Sequence, residues 1–156
     1  MTLEGLHDDF RDLLVLFADG GVEFVVVGAY ALAFHGAPRA SGDIDLFVRP
    51  SPVNAQRVFD ALVRFGATLE SAGVTAADFA EPGIVYQIGL PPQRIDVLTE
   101  ISGVTFDEAW ASRVTGEVEV RTVGFIGRAA LLRNKEAAGR PKDIADAARL
   151  RQTKDR

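Results

Sequence analysis

Cysteine is absent from the sequence. The absence excludes disulfide bonds, cysteine nucleophiles and zinc sites with cysteine ligands, and it is typical of proteins in a reducing compartment. Long apolar segments are absent as well, because no run approaches the roughly 20 residues that a membrane-spanning helix needs. The N-terminal residues MTLEGLHDDF have neither the basic region nor the apolar region of a secretion signal. We therefore expect a cytoplasmic protein with no membrane contact.

Positive charge is scarce, since 17 lysine and arginine residues face 22 acidic residues and the net charge is −5. Overall charge of this sign does not support a protein that coats nucleic acid or binds tightly to an anionic membrane surface. A small basic site can still lie on an acidic protein. The charge therefore excludes little about enzymes.

The 156 residues are 47% apolar and 25% charged, which are ordinary values for a globular protein with a genuine core. No internal repeat, low-complexity segment or linker interrupts the chain. We therefore expect a single domain over residues 1–156.

Hydrophobic periodicity predicts an order of helix, strand, helix, strand, helix, hairpin, strand and two helices. Helices are expected at about 7–19, 29–34, 53–65, 75–79, 105–111, 127–138 and 141–150, and strands at 22–27, 43–48, 83–90, 94–99 and 117–123. The hairpin would turn across Pro91-Pro92-Gln93, and the chain would end in a helical pair at about 127–153. This order predicts an α/β (α+β) fold, with a small mixed sheet flanked by helices.

Two aspartates begin the second predicted strand, SGDIDLFV, where apolar residues otherwise prevail. Side chains two residues apart in a strand point to the same face, so Asp43 and Asp45 project together. Two adjacent carboxylates repel each other unless a cation lies between them. Oxygen ligands of this kind suit Mg²⁺. A solvated acidic turn is the alternative for this short motif taken alone.

A third carboxylate, Asp96, lies in the middle of the apolar strand RIDVL. If this strand lies beside the strand of Asp43 and Asp45, three carboxylates converge on one face. Arg94 shares that face and would, in the alternative reading, be a simple salt-bridge partner of Asp96. Two acid-bearing apolar strands in one small domain favour a metal site, with Asp43, Asp45 and Asp96 as its ligands.

The turn at Gly28-Ala29 joins a buried strand directly to a helix. A helix N-terminus offers free N–H groups to a phosphate, and glycine lets a ligand approach the backbone. A tight turn with no ligand is the alternative. In the next loop, His35 is expected to cap or pack the chain, while Arg39 would contact a phosphate or pair with Asp43.

A cluster of cations surrounds the break between the last two helices, in the segment NKEAAGRPKD. Lys135, Arg140 and Lys142 could together clamp a triphosphate. The alternative is a solvated helix end. Asp143 lies in the first turn of the last helix, where complementarity to the helix dipole would be enough to account for it.

Together these residues resemble a known superfamily. Gly28-Ala29, a gap of thirteen residues, the strand Asp43-Ile44-Asp45 and the later Asp96 are similar to the signature of DNA polymerase β-type nucleotidyltransferases. The stretches HGAPRASGDIDLFV and NKEAAGRPKDIADAARL resemble more closely the small bacterial nucleotidyltransferases related to type IV toxin–antitoxin (abortive-infection) toxins. The resemblance extends over roughly residues 22 to 150.

The resemblance implies a nucleotidyltransferase-like fold and transfer of a nucleoside monophosphate from an NTP, such as ATP, to an acceptor hydroxyl. Two Mg²⁺ ions would be bound by the catalytic residues Asp43, Asp45 and Asp96. The nucleotide would contact Gly28, Ala29, Arg39, Lys135, Arg140, Lys142 and Asp143. The acceptor would be tRNA, a protein hydroxyl or a small molecule, and an antitoxin is a possible partner.

One position departs from the family pattern, because Ala29 stands where the turn has serine or glycine. A serine hydroxyl that helps to hold phosphate is thus absent, and backbone amides must serve alone. This departure favours an alternative: a relative that binds a nucleotide, or only a partner protein, and catalyses nothing.

Overall fold

The computed structural model describes residues 6–90 and 93–153. Within them, six strands form one sheet in the order β3-β4-β2-β1-β6-β5. The strands are β1 (Phe24–Val27), β2 (Asp43–Val48), β3 (Val85–Ile88), β4 (Arg94–Leu98), β5 (Val114–Val118) and β6 (Arg121–Phe125). The helices are α1 (Asp8–Asp19), α2 (Gly28–Phe34), α3 (Pro52–Phe65), α4 (Phe106–Ala111), α5 (Arg128–Ala138) and α6 (Pro141–Arg151), with a 3₁₀ turn at Ala76–Ala80.

The sheet is mixed, as the sequence predicted. Strand β2 pairs antiparallel with β1 and parallel with β4, β1 also pairs parallel with β6, and the two hairpins β3–β4 and β5–β6 are antiparallel. The predicted α/β (α+β) class is therefore confirmed. The predicted turn of the β3–β4 hairpin at Pro91-Pro92 lies outside the described residues. No helix of the described ranges is both long and apolar enough to span a bilayer.

Alternation along the central strands gives the sheet two buried faces. All four residues of β1 are buried, because Phe24 and Val26 belong to one apolar cluster and Val25 and Val27 to the other. The first cluster includes buried residues of α1 and α3, and the second includes residues of α2, α4, α5 and α6. Phe47 belongs to the second cluster, so Asp43 and Asp45, which alternate in phase with it along β2, lie on that face.

The break between α5 and α6 is built from residues with defined backbone roles. Gly139 ends α5 in the left-handed conformation, with φ of 65°, and Pro141 occupies the first turn of α6. The backbone N–H of Arg140 donates a hydrogen bond to Asp143 in the same turn, at 3.2 Å. Only Gly139 and Arg140 therefore separate the two helices, and this short break carries charged residues.

The sequence-based prediction was wrong between residues 114 and 125. One strand was expected at 117–123, whereas the chain forms two strands that reverse at Glu119-Val120. Both turn residues have positive φ, 49° and 58°, the geometry that glycine and asparagine normally supply. Because neither residue type is present, the alternation of apolar and polar residues continues through the turn and hides it.

We expect Val120→Gly to raise the free energy of unfolding by about 1 kcal/mol, because a β-branched residue is disfavoured at positive φ. The side chain is 91% exposed, so its removal loses little packing. Denaturant titration measures the change. The exposed Val63 in helix α3 is the control, since Val63→Gly should lower the free energy of unfolding by about 0.5 kcal/mol. Equal losses in both variants would contradict the strain at Val120.

Candidate active site

The three predicted carboxylates meet on one face of the sheet. In the parallel pair of β2 and β4, Asp45 lies opposite Asp96, and Asp43 lies opposite Arg94. The sequence predicted this convergence only if the two strands were neighbours in the sheet. A cleft of about 500 Å³ opens over the carboxylates. Its lining includes all ten residues proposed from the sequence: Gly28, Ala29, Arg39, Asp43, Asp45, Asp96, Lys135, Arg140, Lys142 and Asp143.

Gly28 is required by the position of Asp45. Its φ is +68°, and a Cβ atom added there would lie 2.1 Å from Oδ2 of Asp45. Only glycine therefore lets this carboxylate rest against the end of β1. Helix α2 begins at Gly28 itself, and Ala29, the next residue, is buried and lines the cleft. The glycine in this turn therefore leaves room for the carboxylate of Asp45.

Asp45 is electrostatically strained. Burial is the largest cause that raises its pKa to about 7, followed by the charge of Asp96, a hydrogen bond shared with Asp96 and the charge of Asp43. The charge of Lys135 opposes this rise. Near neutral pH, Asp45 therefore ionises only in part, and added positive charge in the cleft would favour the carboxylate form.

Arg94 lies between two of the carboxylates. Its Nη2 donates a hydrogen bond to Oδ2 of Asp43 at 2.9 Å, and its Nε lies 3.2 Å from Oδ1 of Asp96. The salt bridge considered for Arg94 and Asp96 is therefore present, and Arg94 also takes the place at Asp43 that was considered for Arg39. The two carboxylates already accept one cationic group between them.

The donor set suits a divalent cation, although the present arrangement is not a complete site. Within the described residues, no three acidic or histidine side chains are grouped as metal ligands. Oδ1 of Asp96 is nevertheless buried and accepts no hydrogen bond, which leaves an oxygen donor beside the strained Asp45. Burial and the neighbouring carboxylates raise the pKa of Asp45, and the positive charge of a bound Mg²⁺ would favour its ionised form.

Lys135 and Asp143 form a buried ion pair and not a solvated helix end. Lys135 on α5 is 5% exposed, and its Nζ lies 3.4 Å from Oδ1 of Asp143. Burial opposes the ionisation of Asp143, but the hydrogen bond from Arg140 and the charge of Lys135 outweigh it and lower the pKa of Asp143. Arg140 and Lys142 remain exposed at the rim of the cleft, as a solvated helix end would be.

His35 and Arg39, the two candidate residues before β2, make different contacts. His35 is buried and its Nε2 donates a hydrogen bond to the carbonyl oxygen of Ile126 at 2.7 Å, which agrees with the packing role expected for it. Arg39 lines the cleft but does not pair with Asp43. Its Nε donates a hydrogen bond instead to Oδ1 of Asp146 at 2.9 Å.

Asp146 is the residue that the sequence reasoning missed. It lies on α6, is 1% exposed and forms ion pairs with Arg39, Lys135 and Arg149. A signal was available, because Asp143, Asp146, Ala147 and Leu150 fall at helical spacing and form the buried face of α6. Two aspartates on the apolar face of a helix predict buried partners of positive charge.

Comparison with solved structures agrees on the fold. The lincosamide antibiotic adenylyltransferase LnuA, solved with lincomycin, aligns with a TM-score of 0.54 at 13% identity, over 94% of this chain and 97% of that chain. A candidate nucleotidyltransferase from Thermotoga maritima aligns with a TM-score of 0.54 at 14% identity, over 92% and 88%. An antigenic nucleotidyltransferase-like protein from Paracoccidioides brasiliensis aligns with a TM-score of 0.51 at 14% identity, over 92% and 75%.

Comparison of the sequence itself identifies the family. No curated protein matches the chain significantly. A family model described as "Nucleotidyl transferase AbiEii toxin, Type IV TA system" matches residues 12–122, which include Gly28, Asp43, Asp45 and Asp96 and end before Lys135. The resemblance seen in the sequence, and the enzyme class that it implied, are thereby confirmed. Because the match covers well over half of the chain, this protein belongs to the AbiEii nucleotidyl transferase toxin family of type IV toxin–antitoxin systems.

Proposed function

We propose that this protein transfers a nucleoside monophosphate from an NTP to an acceptor hydroxyl in a Mg²⁺-dependent reaction. The observation that carries the proposal is the pairing of Asp45 with Asp96, in one cleft with Gly28 and the cations of α5 and α6. The site takes residues from both the family-matched segment and the last two helices, which supports one domain for the whole arrangement.

The reaction requires one bond to form and one to break at the α-phosphorus. The acceptor oxygen bonds to that phosphorus, while the bond to the oxygen shared with the β-phosphate breaks. Pyrophosphate leaves with the bonding electrons, and the hydroxyl proton passes to Asp96 or to solvent. Oδ1 of Asp96 is buried and accepts no hydrogen bond, although Nε of Arg94 lies 3.2 Å from it in an ion pair, so this oxygen could accept the proton if Arg94 moved away.

Asp43, Asp45 and Asp96 would hold the metal. When bound, one or two Mg²⁺ ions supply positive charge to the phosphates and stabilise the attacking and leaving oxygens. The guanidinium of Arg94 already lies between the carboxylates of Asp43 and Asp96, so a bound metal would have to share these carboxylates with it. Asp45 would gain most from the added charge, since its pKa is raised to about 7.

The triphosphate would lie between the Gly28 turn and the last two helices. Arg140 and Lys142 are exposed at the rim, and the charge of Lys135 opposes the rise in the pKa of Asp45. Arginine and lysine side chains bind phosphate oxygens by charge-assisted hydrogen bonds. The backbone at Gly28 and Ala29 would approach the phosphates without a side-chain hydroxyl.

The family points to a toxin that works with an antitoxin partner, and the acceptor would be tRNA, a protein hydroxyl or a small molecule. LnuA is a lincosamide antibiotic adenylyltransferase, which illustrates a small-molecule acceptor on this fold. The second candidate is a relative that binds nucleotide or partner without catalysis. The methyl group of Ala29, in place of a phosphate-binding hydroxyl, is the observation that favours it.

The first test is the substitution Asp45→Asn. We expect transfer from labelled NTP to fall by at least about 100-fold, because a carboxylate that holds the metal is lost while the side chain keeps its size. Calorimetric titration with MgATP, MgCTP, MgGTP and MgUTP identifies the donor and should show weaker binding by the variant. Transfer at the wild-type rate would contradict the site. A wild type that binds none of the four would favour the non-catalytic relative.

A second test uses the contact between Gly28 and Asp45. Gly28→Ala should abolish metal-dependent nucleotide binding, because the new Cβ would displace the Asp45 carboxylate that lies 2.1 Å away. Gly73→Ala is a matched control, since Gly73 has nearly the same φ, +71°, and a Cβ there meets no atom within 4 Å. The control should lose similar stability and keep nucleotide affinity. Equal loss of affinity in both variants would mean that backbone strain, not Asp45, explains the effect.

The raised pKa of Asp45 also predicts how stability depends on pH. In the folded protein the pKa of Asp45 is about 7, so the carboxyl keeps its proton up to about that pH, whereas the unfolded chain releases it near the ordinary pKa of 3.8. The contribution of Asp45 to stability therefore declines as pH rises from about 4 to about 7. Asp45→Asn removes this decline, so its melting temperature relative to wild type should be higher at pH 8 than at pH 5.

Melting in EDTA and in Mg²⁺ checks this prediction, because Mg²⁺ should raise the wild type toward the variant at pH 8. Asp60→Asn serves as the control, since Asp60 is exposed on α3, the helix that packs on the other face of the sheet. A relative melting temperature of Asp45→Asn that is the same at both pH values would contradict the strain at Asp45.

A further inference from the structure

We propose that Asp146 is a positioning residue, which holds Arg39 and Lys135 at the wall of the cleft so that both can contact phosphate. The inference rests on the proposed function, because it assigns a task to two of the cations of the same site. It concerns a residue beyond the segment matched by the family model and absent from the predictions made from the sequence.

A single carboxylate joins three segments of the chain. Asp146 lies on α6, and its Oδ1 accepts a hydrogen bond from Nε of Arg39, in the loop before β2, at 2.9 Å. Its Oδ2 lies 3.1 Å from Nζ of Lys135 on α5. Arg149, one turn further along α6, has its Nη1 3.7 Å from Oδ1. Loss of this carboxylate would therefore release both a loop and a helix side chain.

Burial makes the pairing with Lys135 obligatory. The side chain of Lys135 is 6% exposed, and those of its partners Asp143 and Asp146 are 1% and 2% exposed. A buried charge that loses its partner costs several kcal/mol. Asp146 is the nearer partner of Lys135, at 3.1 Å against 3.4 Å, while Asp143 is shared with Arg140, whose Nε donates to it at 2.6 Å.

The contact leaves donors of Lys135 available to a ligand. Oδ2 of Asp146 accepts no hydrogen bond, so its attraction to the ammonium group is electrostatic. Among the residues that the structure describes, Lys135 donates one side-chain hydrogen bond, to Asp143 at 3.4 Å. An ammonium group has three N–H donors, and Lys135 lines the cleft, so donors remain that a phosphate oxygen can accept.

Arg39 is held in a similar way. Only its Nε is engaged, because across residues 6–90 and 93–153 it forms no hydrogen bond or ion pair other than the one with Asp146. Its side chain is partly exposed and lines the cleft. The two terminal nitrogens of a guanidinium fixed through Nε can bind two phosphate oxygens together. Asp146 therefore orients the terminal nitrogens of Arg39 that would bind these phosphate oxygens.

The test uses Asp146→Asn and inorganic triphosphate with Mg²⁺, a probe that needs no knowledge of the base. We expect the dissociation constant measured by calorimetry to rise about ten-fold. In the transfer assay, KM for the NTP should rise more than kcat falls, because the two cations bind phosphates that are present before the reaction. Glu136→Gln is the control, since Glu136 joins α5 to α6 through Arg151 on the exposed surface and should leave the dissociation constant unchanged.

A double-mutant cycle with Arg39→Gln shows whether Asp146 acts through Arg39. The double variant should bind triphosphate with nearly the same affinity as the weaker-binding single variant, because both substitutions disable the same guanidinium group of Arg39. Full additivity, or wild-type affinity in Asp146→Asn, would overturn the inference. If Asp146→Asn does not fold, wild-type affinity in the more exposed Arg39→Gln overturns it.

The outcome for the proposed function is separate. If the affinity for triphosphate depends on Asp146 but the wild-type protein transfers no nucleotide, the positioning role is supported and the enzyme activity is refuted. A wild-type protein that transfers nucleotide, with Asp146→Asn unchanged in both affinity and KM, would support the activity and refute the positioning role. A wild type that binds no triphosphate overturns the inference.

Discussion

The repulsion between Asp45 and Asp96 is the constraint on which the site depends. Parallel pairing of β2 with β4 places the two carboxylates opposite each other, and the absence of a side chain at Gly28 lets Asp45 stay there. Like charges at such a place in a sheet destabilise the fold unless positive charge compensates them. Burial, and after it the charge of Asp96, raises the pKa of Asp45. Asp45 therefore serves the cleft and not the stability of the fold.

The compensating charges come from two distant parts of the chain. Arg94 contributes from the same sheet, two residues before Asp96, and Lys135 contributes from α5. Lys135 is itself held by Asp143 and Asp146 on α6. Charges of alternating sign thus run from the sheet into the last two helices. The family model ends before these helices, yet the cleft cannot be described without them.

The overall acidity of the chain and the chemistry of its cleft are compatible. The net charge is −5, but the cleft gathers Arg39, Arg94, Lys135, Arg140 and Lys142 around its carboxylates. Local positive charge of this kind attracts a triphosphate, while the acidic remainder of the surface gives an extended polyanion little to bind. This distribution would suit the compact donor nucleotide of the proposed reaction.

Most of the helices and strands, and the three carboxylates of the site, were predictable from the sequence. Strand β2 was predicted at its observed bounds, because its apolar residues Ile44, Leu46, Phe47 and Val48 are flanked by turn residues, and the two-residue spacing of Asp43 and Asp45 put them on one face. The glycine and proline around α5 and α6 likewise marked the break between those helices. Only the tertiary structure decided which strands are neighbours, and hence that Asp96 meets Asp45, that Arg94 reaches Asp43 and that Asp146 holds Arg39. These pairs join residues 51 to 107 positions apart. No local pattern encodes such contacts, because they arise from the packing of whole elements and not from the periodicity of any one of them.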